Sequence, residues 1–578
     1  MWHLRLRTVR PAGRLDSGYM DDGQQKRYGQ MVTINASRLK SQDGFHHALR
    51  EGLFLFPPGV HPVSTAGLDG EKFFHHNDRK ERVVILGSGW AGYSFAKDLD
   101  PEKYERIVIS PRSYFVFTPL LASTAVGTLE FRTVLEPIRR LDHGIGFHQG
   151  WAQDIDFANK TIRVEANANA DSASKAVVPI GQGGQLNQTT ARGAAFDVTY
   201  DKLVIACGAY SQTFGIEGVR EHANFLRDVG DARRIRLRIL SLFEQCAYPY
   251  PMGSDTLTDE DRANLLHFAI VGGGPTGIEF SAELHDLIHD DLAKMYPDLL
   301  KFVKITVYDV SPKVLPMFDQ ALSKYAMDAF KRQHIEIRTQ HNIERVRLAD
   351  GKLGSEHGEL KLKFKQYGDK EVGAGLVVWS TGLMANPLIK QLAAKEFAIP
   401  ISPEDRAEAR RPKAKLATDA RTGGILVDEH LRVRIETQTA EAAKGSEIVP
   451  TSASNSLLRD VFVIGDAAVI ESQRTLPKTA QVAAQQAIHI AKLLNKANEG
   501  VIDVKNAPGF KFRNWGVMTY LGSWKAIHQG PRDELRGWAA WVLWRSAYLA
   551  KSMSLRNKFL VPVYWLVSWV FGRGISRF

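Results

Sequence analysis

Two strand–glycine-loop–helix units about 185 residues apart, and a basic, tryptophan-rich C-terminal end, set the fold class expected of this sequence. They predict an α/β chain in which two Rossmann-like dinucleotide-binding domains, the second inserted in the first, precede C-terminal amphipathic helices that anchor to a membrane. The third observation is length. At ~100–200 residues per domain, 578 residues hold three or four domain-sized units. The predicted divisions are an N-terminal extension over 1–80, a first nucleotide domain over 81–265 and 383–510, a second over 266–382, and the anchoring region over 511–578.

Arg82-Val-Val-Ile-Leu86 reads as a buried parallel strand, followed at once by Gly87-Ser-Gly89-Trp-Ala-Gly92 and a helix from Tyr93 to Leu99. A pyrophosphate needs this order: Gly87 for the tight turn, Gly89 for close approach of main-chain amides, and Gly92 for packing of helix on strand. The helix N-terminus then presents unpaired N–H groups to the anion. A merely glycine-rich turn is the bland alternative. The next strand, Glu105–Ser110, should close on an acid for a ribose 2′-hydroxyl but ends Ser110-Pro111-Arg112, leaving Ser110 as the candidate ribose contact.

The pattern recurs as strand His267–Val271, loop Gly272-Gly-Gly274-Pro-Thr-Gly277 and helix Ile278–Ile288. Here the following strand, Lys304–Asp309, does end in an acid. Asp309 lies 37 residues after Gly272 rather than the usual ~20, because the intervening helix and loop are longer. Its carboxylate can accept both ribose hydroxyls of NADH and repels the 2′-phosphate of NADPH. Repetition makes chance unattractive as an explanation for either loop. Two dinucleotide folds in one chain suggest a flavin in one and a nicotinamide nucleotide in the other. Leu203–Ala209 and Val377–Gly382 read as strands ending in small residues, Gly208 and Gly382 among them, that let backbone pass close to a flat cofactor. Val461–Ile464 followed by Gly465-Asp466 is a strand and turn, with helix-compatible sequence after a short loop.

Composition excludes several classes. With 44% hydrophobic and 24% charged residues, the chain is neither wholly disordered, collagen-like nor a polytopic membrane protein. Two cysteines, Cys207 and Cys246, cannot make a disulfide scaffold, a dithiol relay or a cysteine-based metal site. The 18 histidines show no metal-ligand spacing, and no Walker A loop, nucleophile elbow or EF-hand run occurs, so no metal is expected. The net charge is +11, and residues 531–578 hold eight Lys/Arg against two acids, with five of the 11 tryptophans. Their apolar content favours a lipid surface over nucleic acid. Gly537–Leu549 and Phe559–Phe571 are too short to span a bilayer, which takes about 20 residues, and predict two helices lying in the interface; a hairpin packed on the protein or on a second copy can hold at once.

Arg5, Arg7, Arg10 and Arg14 with no acid in the first 15 residues are presequence-like; an untargeted tail accounts for them nearly as well, since Asp16, Asp21 and Asp22 follow. Polar stretches at 166–195, 402–422 and 437–456 read as surface insertions.

From about Arg82 to Phe578 the chain resembles the mitochondrial alternative (type II) NADH:quinone oxidoreductases of the fungal kind. The marks are Ser110-Pro-Arg-Ser-Tyr-Phe-Val-Phe-Thr-Pro-Leu-Leu121, Gly272–Glu279, Leu315-Pro-Met-Phe-Asp319, Ala480-Gln-Val-Ala-Ala-Gln-Gln-Ala487, Tyr520-Leu-Gly522, Leu555-Arg-Asn-Lys-Phe-Leu560 and Phe571-Gly-Arg-Gly-Ile-Ser-Arg-Phe578. The resemblance implies FAD in the first site, with Thr118, Pro119 and Leu120 running past the isoalloxazine and Asp466 binding the ribityl or phosphate region. It implies NADH in the second, with Gly382 and Asn386 near the nicotinamide and Glu279 beside NADH. It places Gln481 and Gln485 at the quinone headgroup and flavin. Spacing alone puts those two amides on one helix face, where a solvated surface accounts for them better. Glu283 reads as a helix-surface salt-bridge partner. The implied protein is a non-pumping NADH:ubiquinone oxidoreductase, monotopic on the mitochondrial inner membrane and homodimeric. Other two-site flavoproteins are the alternatives: a ferredoxin-type reductase, a sulfide:quinone oxidoreductase (which normally needs a catalytic cysteine pair), or a flavin-binding signalling protein. Replacing Asp309 by Asn should raise the rate with NADPH relative to NADH in steady-state assays; an unchanged ratio would remove the role given to this acid.

Overall fold

The computed structural model describes residues 79–577, apart from 143, 168–192, 249–256, 350–357, 400–412, 438–455, 499–505 and 553. The N-terminal extension and two of the three insertions therefore fall wholly or mostly outside the described residues. Its central sheet runs, in spatial order, through 397–398, 413–416, 432–437, 456–463, 202–205, 81–86, 104–110, 145–156, 161–166 and 195–199. The middle of this sheet is parallel: 456–463, 202–205, 81–86, 104–110 and the start of 145–156 run side by side. Such strands are covered on both faces and read as unbroken apolar runs. Val83, Val84 and Ile85 are accordingly fully buried.

Strand 456–463 pairs with 202–205, which lies some 250 residues earlier, so the chain leaves the first fold, builds the second and returns. The insertion is thus a matter of strand pairing. Lys413–Leu416 departs from the expectation of a surface insertion over 402–422: its alternation places Ala414 and Leu416 inward, and it pairs with 432–437 in the sheet. Period-two burial outweighs the polar composition of the stretch.

The second sheet is parallel throughout, in the order 224–225, 376–379, 267–271, 304–308 and 335–338. It recruits a short strand from upstream of residue 266, followed by helix Val229–Ala247, which starts at a reciprocal capping box between Asp228 and Asp231. Phe243 of that helix stacks on Phe268 of the central strand at 6.3 Å.

The C-terminal region contains more than the two expected helices. Strands 517–520, 526–529 and 534–537 form an antiparallel meander, from which helix Trp538–Lys551 leads to helix Leu555–Phe571. Ala540 and Trp544 of the first helix, and Asn557, Val561 and Trp565 of the second, are buried. The outer face leaves Leu555 85%, Phe559 72%, Trp569 67% and Phe571 82% exposed. No helix among the described residues is long and apolar enough to cross a membrane.

Behind the first glycine loop, Arg106 is almost fully buried. It donates to the carbonyls of Ala96 (2.9 Å) and Leu99 (3.2 Å) at the end of helix Trp90–Asp98 and pairs with Asp142. It satisfies helix-end carbonyls that would otherwise lie dry. Arg106→Ala strands those carbonyls and Asp142 together. The expected loss is about 3 kcal/mol, read as a lower thermal midpoint, with Arg106→Lys losing less.

Candidate functional site

The two glycine loops are built alike. Gly87 and Gly272 both have φ +114°, a conformation that side chains with a Cβ rarely adopt. A Cβ on Gly92 would lie 1.9 Å from the Gly87 carbonyl oxygen, and one on Gly277 would lie 2.0 Å from that of Gly272. Only glycine lets each helix pack this tightly on its loop. The middle glycines behave oppositely: nothing lies within 4 Å of a Cβ added to Gly89 or Gly274. Each of these N-caps its helix without a side-chain cap, so the first-turn amides face open space.

The first loop lines one cleft of about 470 Å³, and the second reaches the same cleft through Thr276. Gly87, Gly89, Ser110, Thr118, Gly208 and Asp466 line it from the first fold, and Thr276, Trp379, Gly382 and Asn386 from the second. Ser110 is buried at the strand end, its hydroxyl paired with Ser88 at 2.9 Å and accepting from the Arg112 amide. Thr118 is exposed, and its Oγ1 accepts from Trp90 Nε1 at 2.9 Å. Pro119 continues this short turn and Leu120 points into the core. Asn386 donates to the Cys207 carbonyl (3.1 Å) and caps helix Pro387–Ala394, fixing the strand end at Gly208. Asp309 closes strand 304–308 and accepts from the Gly273 amide and, at 2.7 Å, from that of Ser311. Its carboxylate thereby holds the second loop as well as standing where a ribose is expected.

Three polar groups of the first site escaped the sequence reading. Arg227 lines the cleft with its Nη1 buried and unpartnered; burial pushes its pKa down, and Asp466 opposes the shift. Lys478 donates to the Asp466 carbonyl at 2.9 Å and to that of Ala468. Gln486 accepts from the Gly465 amide at 2.7 Å, holding the Gly-Asp turn. Burial pushes the Asp466 carboxyl up, while Arg227 and Lys478 pull it back. An orphaned guanidinium nitrogen, two open glycine turns and an uncapped helix start fit the pyrophosphate of FAD. Gln486 was legible in principle, since it shares the buried stripe of Val482, Ala483, Ala487 and Ile490. Arg227 has no local signal, because a loop residue carries no period.

The remaining candidates lie beside the cleft. Glu279 is buried and accepts, through one oxygen, from the Tyr520 amide and Trp544 Nε1, both at 3.2 Å. Burial pushes its pKa up to about 8 against those two donors. Gln481 donates to the Gly516 carbonyl (2.7 Å) and accepts from the Trp515 amide; Gln485 makes both bonds to the main chain of Arg513, at 2.9 and 3.0 Å. The two amides thus tie helix Ala480–Asn498 to the segment entering the C-terminal sheet, while Ala480 and Ala483 line the cleft. Glu283 is no surface salt-bridge partner. It is buried and accepts from Ser123 (2.5 Å) and Thr128 (2.9 Å), because helix Leu121–Ala125 of the first fold and the loop after it pack on this helix face.

Comparisons with known proteins agree with this architecture. Residues 81–487 match the family described as pyridine nucleotide-disulphide oxidoreductase, and residues 515–574 match the NDH2 C-terminal domain. A probable NADH dehydrogenase of Dictyostelium discoideum is 35% identical over 86% of this chain and 91% of its own length. A probable mitochondrial NADH-ubiquinone oxidoreductase of Schizosaccharomyces pombe is 33% identical over 86% and 83%. The solved structure of NDH2 from Plasmodium falciparum in complex with NADH covers 86% of this chain and 100% of its own, with a TM-score of 0.67 at 24% identity, a likeness of fold. The chain belongs to the pyridine nucleotide-disulphide oxidoreductase family and, within it, to the alternative (type II) NADH:ubiquinone oxidoreductases.

Proposed function

We propose that this protein is an FAD-dependent, non-proton-pumping NADH:ubiquinone oxidoreductase of the mitochondrial respiratory chain, seated on the inner membrane by residues 511–578. The observation that carries the reading is the convergence of two equally built glycine loops on a single cleft. Bound FAD supplies the redox chemistry, taking hydride from NADH and passing two electrons to quinone. The chain supplies position. Main-chain amides at Gly89 and Gly274 hold the two pyrophosphates, and Arg227 adds a buried cation to the first. Asp309 selects the ribose of NADH. Gly208 and Gly382 keep the cleft walls thin where two flat rings must meet, while Trp90 and Trp379 help enclose it.

Gln481 and Gln485 are proposed at the quinone end, on the helix joining the cleft wall to the membrane-side segment. Glu279 is proposed between the nucleotide helix and the anchor, protonated at neutral pH. The exposed row of Leu555, Phe559, Leu566, Trp569 and Phe571 supports a lipid seat, with Arg556 and Lys558 exposed beside it for lipid phosphates. A second copy of the chain is the competing cover for part of that row, and a mass measurement in detergent decides between them. Mitochondrial placement rests on relatives named as mitochondrial, among them an external alternative NAD(P)H-ubiquinone oxidoreductase of Solanum tuberosum, 33% identical over 89% of this chain. The sulfide:quinone alternative is disfavoured by the cysteines: Cys207 lines the cleft, whereas Cys246 is buried in helix 229–247.

With no other electron acceptor added, the purified full-length chain in phosphatidylcholine vesicles should be yellow and turn over NADH only when ubiquinone is present, without acidifying the lumen. Colourless protein, or a turnover that ubiquinone does not raise, overturns the reading. Glu279 also makes stability depend on pH. The folded chain holds its proton more tightly than the unfolded chain, so its contribution is full below the ordinary carboxylate value of 4.5 and is lost as pH rises to about 8. The thermal midpoint should fall across that window and fall less in Glu279→Gln.

A further inference from the structure

The helix that begins at the second glycine loop ends irregularly. After Pro275–Leu287 the chain makes a π turn over Ile288–Leu292. Such turns are rare and concentrate at functional sites. Here the Asp286 carbonyl and the Asp291 carboxylate both meet one guanidinium, that of Arg573.

Arg573 comes after the anchor helix has ended at Phe571. Its Nη1 donates to Asp291 (2.7 Å), Asp290 (3.1 Å) and the Asp286 carbonyl (3.2 Å), and its Nε donates to Thr128 Oγ1 (3.0 Å). The Thr128 hydroxyl in turn donates to Glu283, so the tail, the first fold and the nucleotide helix share one network. The flanking glycines fit closely, and the conformation of Gly572 is one that residues with a Cβ rarely adopt. A Cβ on Gly572, at φ +84°, would meet an Asp291 oxygen at 2.7 Å, and one on Gly574 would meet Arg236 Nη2 at 2.7 Å. Arg236 also donates to the Gly574 carbonyl. A tail that merely followed a lipid-facing helix would need no such slot. Only 11% of the Arg573 side chain is exposed, and its ring of carboxylates raises its pKa.

We infer that Arg573 is a positioning residue for the nucleotide site: by gripping the π-turn end of helix 275–287, it seats the helix whose other end follows Gly274 and brings Thr276 to the cleft, and so couples the membrane hairpin to the nucleotide loop. The inference rests on the NADH reading above. The physical reason is charge. Without the guanidinium, Glu283, Asp286, Asp290 and Asp291 crowd one seam with their shared cation gone, and the seam must loosen or take up protons.

The test uses the full-length, FAD-loaded protein with Arg573→Gln and Arg573→Lys. Amide exchange is followed without nucleotide, and NADH oxidation is followed with ferricyanide, a water-soluble acceptor that bypasses quinone. In Arg573→Gln, exchange over 275–292 should speed up about tenfold while helix 480–498 stays as in the parent. KM for NADH should rise about tenfold with kcat within about twofold, and Arg573→Lys should fall between; the lysine variant carries the test if the glutamine variant does not fold. Unchanged KM, whether exchange is unaltered or speeds up uniformly along the chain, overturns the inference. Parent protein that reduces ferricyanide but no quinone would defeat the functional reading and leave this test intact.

Discussion

A dinucleotide's pyrophosphate is held first of all by main-chain amides that point outward from a helix start, and that geometry demands glycine at fixed places. This chain meets the demand twice, with the same φ of +114° at Gly87 and Gly272 and nearly the same crowding at Gly92 and Gly277. Everything else about the molecule can be understood as bringing these two helix starts to one cleft. The first fold is left open at strand 202–205 so that the second can be inserted, and strand 456–463 closes it afterwards. Antiparallel pairing of 209–211 with 383–385 then stitches the two exits together beside Gly208 and Gly382.

The C-terminal region belongs to this arrangement as much as to any membrane. Tyr520 and Trp544 bind Glu279, Tyr520 also donates to Asp286 at 2.6 Å, and Arg573 closes the column below. One helix therefore has its start in the cleft and its acidic flank buried under the anchor. Burial of so many carboxyls is costly, and each is met by a donor or a cation. A region that only held the protein to lipid would not need to contact this helix at all.

Much of the fold could be read from the residues because its signals are local. Apolar runs before glycine loops marked the parallel strands, and the acid after Tyr308 marked the end of strand 304–308. What stayed hidden depends on long-range contact. Arg227 faces Asp466 from about 240 residues upstream, while Lys478 and Gln486 fold back on it from the loop and helix that follow. The amides of Gln481 and Gln485 share a face, as their spacing said, but their partners at 513–516 lie on a segment without a period of its own. Glu283 looked like a surface residue because nothing in a helix's own sequence tells which face a distant segment such as 123–128 will cover. The meander at 517–537 was masked by the stronger apolar signal of the helices after it.

The central claim is that a flavin and a nicotinamide nucleotide share the one cleft. Anaerobic mixing of the purified, flavin-loaded protein with NADH, followed by absorbance in the flavin band, tests it most directly. The account predicts rapid bleaching with no quinone present, one NADH consumed per flavin. Flavin that stays oxidised while NADH binds would contradict it, because the two rings would then not meet.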